Sequence, residues 1–244
     1  MNKITKLLAP IALLTSVGVH ADFIGGSVEA AYWYAGVGGD VTAGGTTVDA
    51  ENDLGLGDDS NFEVAVTLEH PIPVIPNVRI KYTNIDQSEK DNLSVTFDDG
   101  SDAVTGDVKT TLDLSHVDLI LYYEILDNWV SVDVGLDIKV FDGQLEVSSD
   151  TNTSTTDIDE ILPLLYASAE FELPLTDLSF GAELSALAYS DDAIYDGKIR
   201  FRQGFSLAFV ELGYRQMGIK FDDISNTDID VDFGGVYLST GLDF

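Results

Sequence analysis

Apolar residues fall at every second position in about ten separate stretches of this chain, and no stretch carries the 3.6-residue period of a long helix. Val130, Val132, Val134, Leu136, Ile138 and Val140 alternate with Ser131, Asp133, Gly135, Asp137 and Lys139. Val117, Leu119, Leu121, Tyr123 and Ile125 oppose Asp118, Tyr122 and Glu124, and Phe62, Val64, Val66 and Leu68 oppose Glu63, Thr67 and Glu69. The strands predicted this way run 23–36, 61–70, 77–86, 111–126, 129–143, 160–174, 178–190, 194–203, 207–221 and 230–244. Successive side chains of a strand point to opposite faces, so each of these strands separates an apolar environment from a polar one.

The joints between them alternate in length. Short ones read "HPIPVIPN", "LDN", "LPLTD" and "QGFS"; long polar ones cover 36–60, 86–108 and 148–159, and "SDDAIYD" and "DDISNTD" are shorter acidic ones. Short turns on one rim and long loops on the other predict a membrane barrel with periplasmic turns and extracellular loops. Ten strands place both chain ends on the short-turn rim; the weakly marked turn within 194–221 leaves eight or twelve open. A soluble sandwich or lipocalin also alternates, but turns its apolar face inward. Three features favour the membrane. Tyr123, Trp129, Phe171 and Phe180 sit beside the short turns, where an interfacial aromatic girdle belongs. The apolar runs match the roughly 9–11 residues of a tilted crossing strand. The chain also ends inside its last strand, on Phe244. The expected fold class is all-β, a closed antiparallel transmembrane β-barrel.

The N-terminal "MNKITKLLAPIALLTSVGVHAD" has two lysines, then an apolar run from Leu7 to Val19 interrupted by Pro10, then Val19-His20-Ala21. That layout is a secretory signal with cleavage after Ala21, Val19 and Ala21 being the residues read by the peptidase; the run is too short to span a bilayer. The expected division is a signal peptide over 1–21 and a barrel over 22–244. There is no cysteine, hence no disulfide, thiolate metal site or cysteine nucleophile. Twelve basic residues against 43 acidic ones give a net charge of −31, which excludes nucleic acid as a partner and attracts divalent cations. With 45% hydrophobic residues the chain is nevertheless too apolar for a disordered polyanion.

An unpaired strand edge in hydrocarbon costs several kcal/mol per group, so the last strand has to be handled until the barrel closes. The terminal "GGVYLSTGLDF", with Tyr237, Leu242 and Phe244, resembles the signal by which the barrel-assembly machinery of Gram-negative bacteria recognises its clients. It departs from that pattern in carrying Ser239 two residues after Tyr237, with glycine displaced to Gly241. Together with the signal peptide, "LEHPIPVIPNVRIKYTNI" and "VELGYRQM", it resembles a family of small outer-membrane β-barrel proteins without an established activity. The resemblance implies the cell outer membrane and this architecture, and carries over no catalytic residue and no cofactor.

The polar edges would enclose Arg79, Lys81, Lys139, Lys198, Arg200, Arg202 and Arg215. Facing them are carboxylates that include Glu63, Glu69, Asp118, Asp133, Asp137, Glu183 and Glu211. Charges in a narrow lumen stay ionised only if paired or wet, so a ladder of ion pairs is expected. In it Glu63 and Glu69 lie one strand from Arg79 and Lys81, and Arg200 and Arg202 lie one strand from Glu183 and from Glu211. The leading reading is an occluded barrel with a structural or surface-interaction role; the alternative is a small cation-preferring channel. A third class, a barrel protease or hydrolase, needs a histidine near the outer rim. His70 belongs to the "HPIP" turn on the opposite rim, and His116 shares the luminal face with Asp118, within reach of a hydrogen bond. No catalytic residue or metal ligand is assigned. "DIDVDF" from Asp228 lacks the sixth-place glycine and the twelfth-place acid of a calcium loop. Its aspartates share parity with Val236 and Leu238, so they stand above the bilayer or Gly234-Gly235 forms a face-switching bulge. The glycines of "AGVGGDVTAGG" mark a flexible loop tip rather than a phosphate cradle, since no helix follows. The partners expected are lipid, lipopolysaccharide bridged by divalent cations, and the assembly machinery.

Overall fold

The computed structural model describes residues 25–97, 103–224 and 227–244; Val19, Ala21 and the rest of the expected signal segment lie outside the described residues. The strands are β1 (Gly25–Ala43), β2 (Thr46–Asp49), β3 (Asp59–Glu69), β4 (Asn77–Asn84) and β5 (Asp86–Phe97). Next come β6 (Val104–Asp113), β7 (His116–Leu126), β8 (Val130–Phe141), β9 (Gly143–Ser148) and β10 (Thr153–Ile158). The chain finishes with β11 (Ile161–Glu172), β12 (Leu178–Tyr189), β13 (Asp192–Phe205), β14 (Ala208–Ile224) and β15 (Thr227–Asp243). No helix occurs among the described residues.

Ten of these strands close on themselves in the order β1-β3-β4-β7-β8-β11-β12-β13-β14-β15, with β15 pairing back onto β1. Closure is complete to the last residue, because Gly26 and Phe244 exchange both backbone hydrogen bonds at 2.9 Å. No ladder edge of the barrel is left to face lipid. The ten staves are those the period-two pattern predicts, and the apolar parity holds on each: Leu136, Ile199, Leu212, Val236 and Leu238 are all exposed on the outer wall. Trp129 packs edge-on to Phe171 at 5.4 Å and Phe180 to Phe201 at 4.9 Å, forming the girdle beside the short turns.

The long joints depart from expectation, for they are largely strand. The glycine stretch continues β1 to Ala43 and returns as β2 through Gly44-Gly45, at φ 56° and 78°. Left-handed backbone at both central residues is the turn that glycine pairs favour in two-residue hairpins. Hairpins β5–β6 and β9–β10 join in a separate four-stranded sheet, β10-β9-β6-β5. The predicted strands 111–126 and 129–143 are therefore each two strands, parted at Leu114-Ser115 and at Asp142. The apolar parity changes at the first of these joints, from the buried Leu112 and Leu114 to the outward Val117, and that shift is the mark of the joint in the sequence.

Above the belt the barrel interior is apolar. Trp33, Val37, Met217, Ile229, Val231 and Phe233 form one buried cluster with Leu54, Leu56, Leu93, Leu145 and Val147 from the loops. Register between β14 and β15 is continuous across Gly234-Gly235, so no bulge switches faces there. Asp228, Asp230 and Asp232 thus keep the outward parity and stand above the lipid-facing part of the same strand. A Cβ on Gly235 would overlap the Tyr34 carbonyl oxygen, which ties that glycine to close β1–β15 approach.

Candidate functional site in the lumen

Three layers fill the barrel. Under the apolar cluster lies a buried ion-pair layer built by side chains of facing walls. Lys139 donates to Asp118 at 2.6 Å, and Lys81 lies 3.0 Å from the same carboxylate. Both lysines also reach across to Asp196, at 3.4 and 3.5 Å. Arg215 donates to Asp196 through Nε and Nη2 at 2.8 and 2.7 Å, and through Nη1 to Glu63 at 2.9 Å. Lys198 donates to Glu63 at 2.6 Å. The Arg215 guanidinium also stacks 4.5 Å from the Trp33 ring, at the floor of the apolar cluster. Fully desolvated charges persist only when their attraction and hydrogen bonds offset the desolvation cost, and here the fork of Arg215 supplies both.

The third layer is a cavity of about 570 Å³ that opens past Asp127, Asn128, Asp177 and Phe244, on the short-turn rim. Arg79 donates to Glu183 at 2.9 Å and to Glu29 at 3.2 Å. Arg200 donates to Glu170 through Nε and Nη2 at 3.0 and 2.7 Å, and lies 3.5 Å from Glu183 and 3.8 Å from Glu211. Arg202 pairs with Asp243 at 2.6 Å beneath the Phe209 ring, and Tyr237 donates to Glu211 at 2.6 Å.

The residues expected in the lumen are all there; Arg200 lies near Glu183 and Glu211 of its neighbouring strands as expected, while other partners differ. Glu63 pairs with Lys198 and Arg215 across the lumen rather than with Arg79 or Lys81 of the neighbouring strand. Glu69 takes a hydrogen bond from Tyr122 at 2.6 Å, and Asp133 and Asp137 join no ion pair among the described residues. Diagonal reach across a narrow barrel, unlike adjacency along the sheet, leaves no trace in strand order. Asp196 is the hub that reading "SDDAIYD" as a loop misses; its parity with Lys198 and Arg200 on β13 is the signal that would have found it. His116 donates from Nδ1 to the Leu114 carbonyl at 2.8 Å, while its Nε2 stays 3.9 Å from Asp118, beyond the expected hydrogen bond. His116, Asp118 and Asp196 lie close enough together to hold a metal ion, but Lys81, Lys139 and Arg215 already occupy those carboxylates.

No protein-family model matches the sequence, and no curated protein does. Among solved structures, the outer-membrane protease OmpT of Escherichia coli superposes with a TM-score of 0.55 at 9% identity, over 94% of this chain and 99% of that one. At that identity the likeness speaks for the fold alone, and it agrees with the closed ten-strand topology and the apolar belt. The chain has the fold of an outer-membrane β-barrel. Ail of Yersinia pestis (TM-score 0.35, 12% identity, 90% of this chain and 99% of that one) and a FadL homologue of Pseudomonas aeruginosa (0.39, 9%, 92% and 90%) are more distant. The barrel has the architecture of Gram-negative outer-membrane barrels, with its short turns on one rim and its loop sheet on the other.

Proposed function

We propose that this outer-membrane barrel is non-conducting, and that it serves a structural and surface-interaction role through its loop sheet and acidic outer rim. One observation carries the reading: the lumen is filled above the cavity by the Arg215–Asp196–Glu63 layer and then by side chains such as Phe233, Leu54 and Leu56. A ten-stranded barrel leaves little room beyond its side chains. Against a protease stands the placement of the histidines. His70 binds the Pro76 carbonyl inside a periplasmic turn, and His116 is buried beneath Phe141, so neither reaches the outer rim. The outward carboxylates Asp228, Asp230 and Asp232 suit divalent cations bridging to lipopolysaccharide phosphates, and Leu242 and Phe244, exposed on the outer wall, suit recognition by the assembly machinery.

The acidic lining of the cavity favours the second reading, a small cation-preferring channel, which would require the loop cluster to swing away. Planar-bilayer recording separates the two. The purified full chain is expected to give no single-channel steps; steady steps with potassium preferred over chloride would overturn the occluded reading.

A further inference from the structure

The four cationic side chains of the cavity, Arg79, Lys198, Arg200 and Arg202, are all engaged by carboxylates, and the cavity still holds acids with no cation. Glu124 and Asp133 are direct partners in the β7–β8 ladder, where two like charges repel, and Glu69 stands over the same wall. None of the three forms an ion pair among the described residues. Two hydroxyls point to a ligand independently of this charge. Tyr166 is 5% exposed and Ser168 6%, both line the cavity beside that wall, and neither hydroxyl has a hydrogen-bond partner among the described residues. Their side chains are nine-tenths buried while their hydroxyl oxygens open onto the cavity, so a partner for them has to come from what the cavity holds.

We propose that this periplasm-facing cavity is a binding site for a small organic cation carrying more than one ammonium group, held by Glu69, Glu124 and Asp133 and hydrogen-bonded by Tyr166 and Ser168. The volume, about 570 Å³, suits a small molecule rather than a lone ion. Among the described residues, the acids that converge tightly enough for one metal ion are Asp118 and Asp196 with His116, not these three. Separated carboxylates match separated ammonium groups, and the faces of Tyr122 and Tyr166, with ring centroids 6.0 Å apart, accept the methylenes between them. The site is reached from the periplasm, so it does not depend on whether the barrel conducts.

Calorimetric titration of the full chain in detergent tests this with spermidine, and with magnesium chloride as a second probe. Saturable one-to-one spermidine binding is expected, weakened at least tenfold by Glu124→Gln with Asp133→Asn. It is expected to be weakened several-fold by Ser168→Ala, and unchanged by Asp230→Asn with Asp232→Asn on the outer rim. Heat-modifiable gel migration identifies folded variants, and Ser168→Ala decides the question should the double variant fail to fold. Absence of saturable binding, equal loss from the rim variant, or magnesium binding that competes fully with spermidine would overturn the proposal.

Discussion

Within β15, Val236 and Leu238 point outward while Tyr237 and Ser239 point into the lumen; a few residues earlier, Asp230 and Asp232 point outward while Val231 and Phe233 point inward. Strand β14 repeats the contrast. Leu212 and Tyr214 lie outside with Glu211 and Arg215 inside, and higher up Lys220 is outside with Met217, Ile219 and Phe221 inside. Parity never changes along either strand; only the solvent does. In the lower half the outside is hydrocarbon and the inside is a polar, partly wet lumen. In the upper half the outside is water, and the interior becomes an ordinary protein core. The crossing point lies near Gln216 and Gly234, directly above the outward Tyr34 and Tyr214, which form an upper interfacial ring.

The contrast is breakable one layer at a time. Arg215→Ala leaves Glu63 and Asp196 buried without their shared partner, and should cost about 3–5 kcal/mol of stability, read by urea unfolding in phospholipid vesicles. Phe233→Ala removes a fully buried ring from the upper core and should cost about 3–5 kcal/mol by cavity formation. The sharpest pair lies on one face of one strand. Leu238→Arg places a charge in hydrocarbon and should cost about 2–4 kcal/mol. Asp232→Arg, facing water, should cost about 1 kcal/mol for the lost Gln216 hydrogen bond. Equal penalties would place the water boundary wrongly.

The smallest effect concerns pH. Burial, then the Asp113 carboxylate opposite it at the base of the loop sheet, pushes the Asp86 carboxyl up. An acid whose folded pKa is raised binds more protons folded than unfolded, so its contribution falls as pH rises. Asp86→Asn should therefore slow amide exchange in β5 and β6 above the usual carboxylate range, and have no effect below it.

Much of this was legible in the chain because lipid leaves a strong mark: an apolar face on all ten staves, and aromatic residues such as Trp129 and Phe171 at their ends. What escaped did so for physical reasons. Strand β10 buries Ser154 and Thr156 and turns Thr153, Thr155 and Asp157 outward, where a lipid-spanning strand would carry aliphatic side chains, so its polar text reads as loop. The inward Ile229, Val231 and Phe233 share parity with the luminal Tyr237, so the apolar upper core was written in β15, but only a fixed membrane boundary makes it readable as core. Ion-pair partners depend on the lumen's diameter, and that is why the Glu63–Arg215 contact emerges only from the closed barrel, whereas the inward place of Asp196 was readable from its parity with Lys198.

The barrel inverts its polarity once, at constant parity, along β15. The chain contains no cysteine, so single cysteines placed at 230, 232, 236 and 238 can be spin-labelled without background. Collision with lipid-soluble oxygen should exceed collision with a water-soluble nickel chelate at 236 and 238, and the order should reverse at 230 and 232. Oxygen dominance at all four positions, or nickel dominance at 236 and 238, would contradict the placement of the membrane.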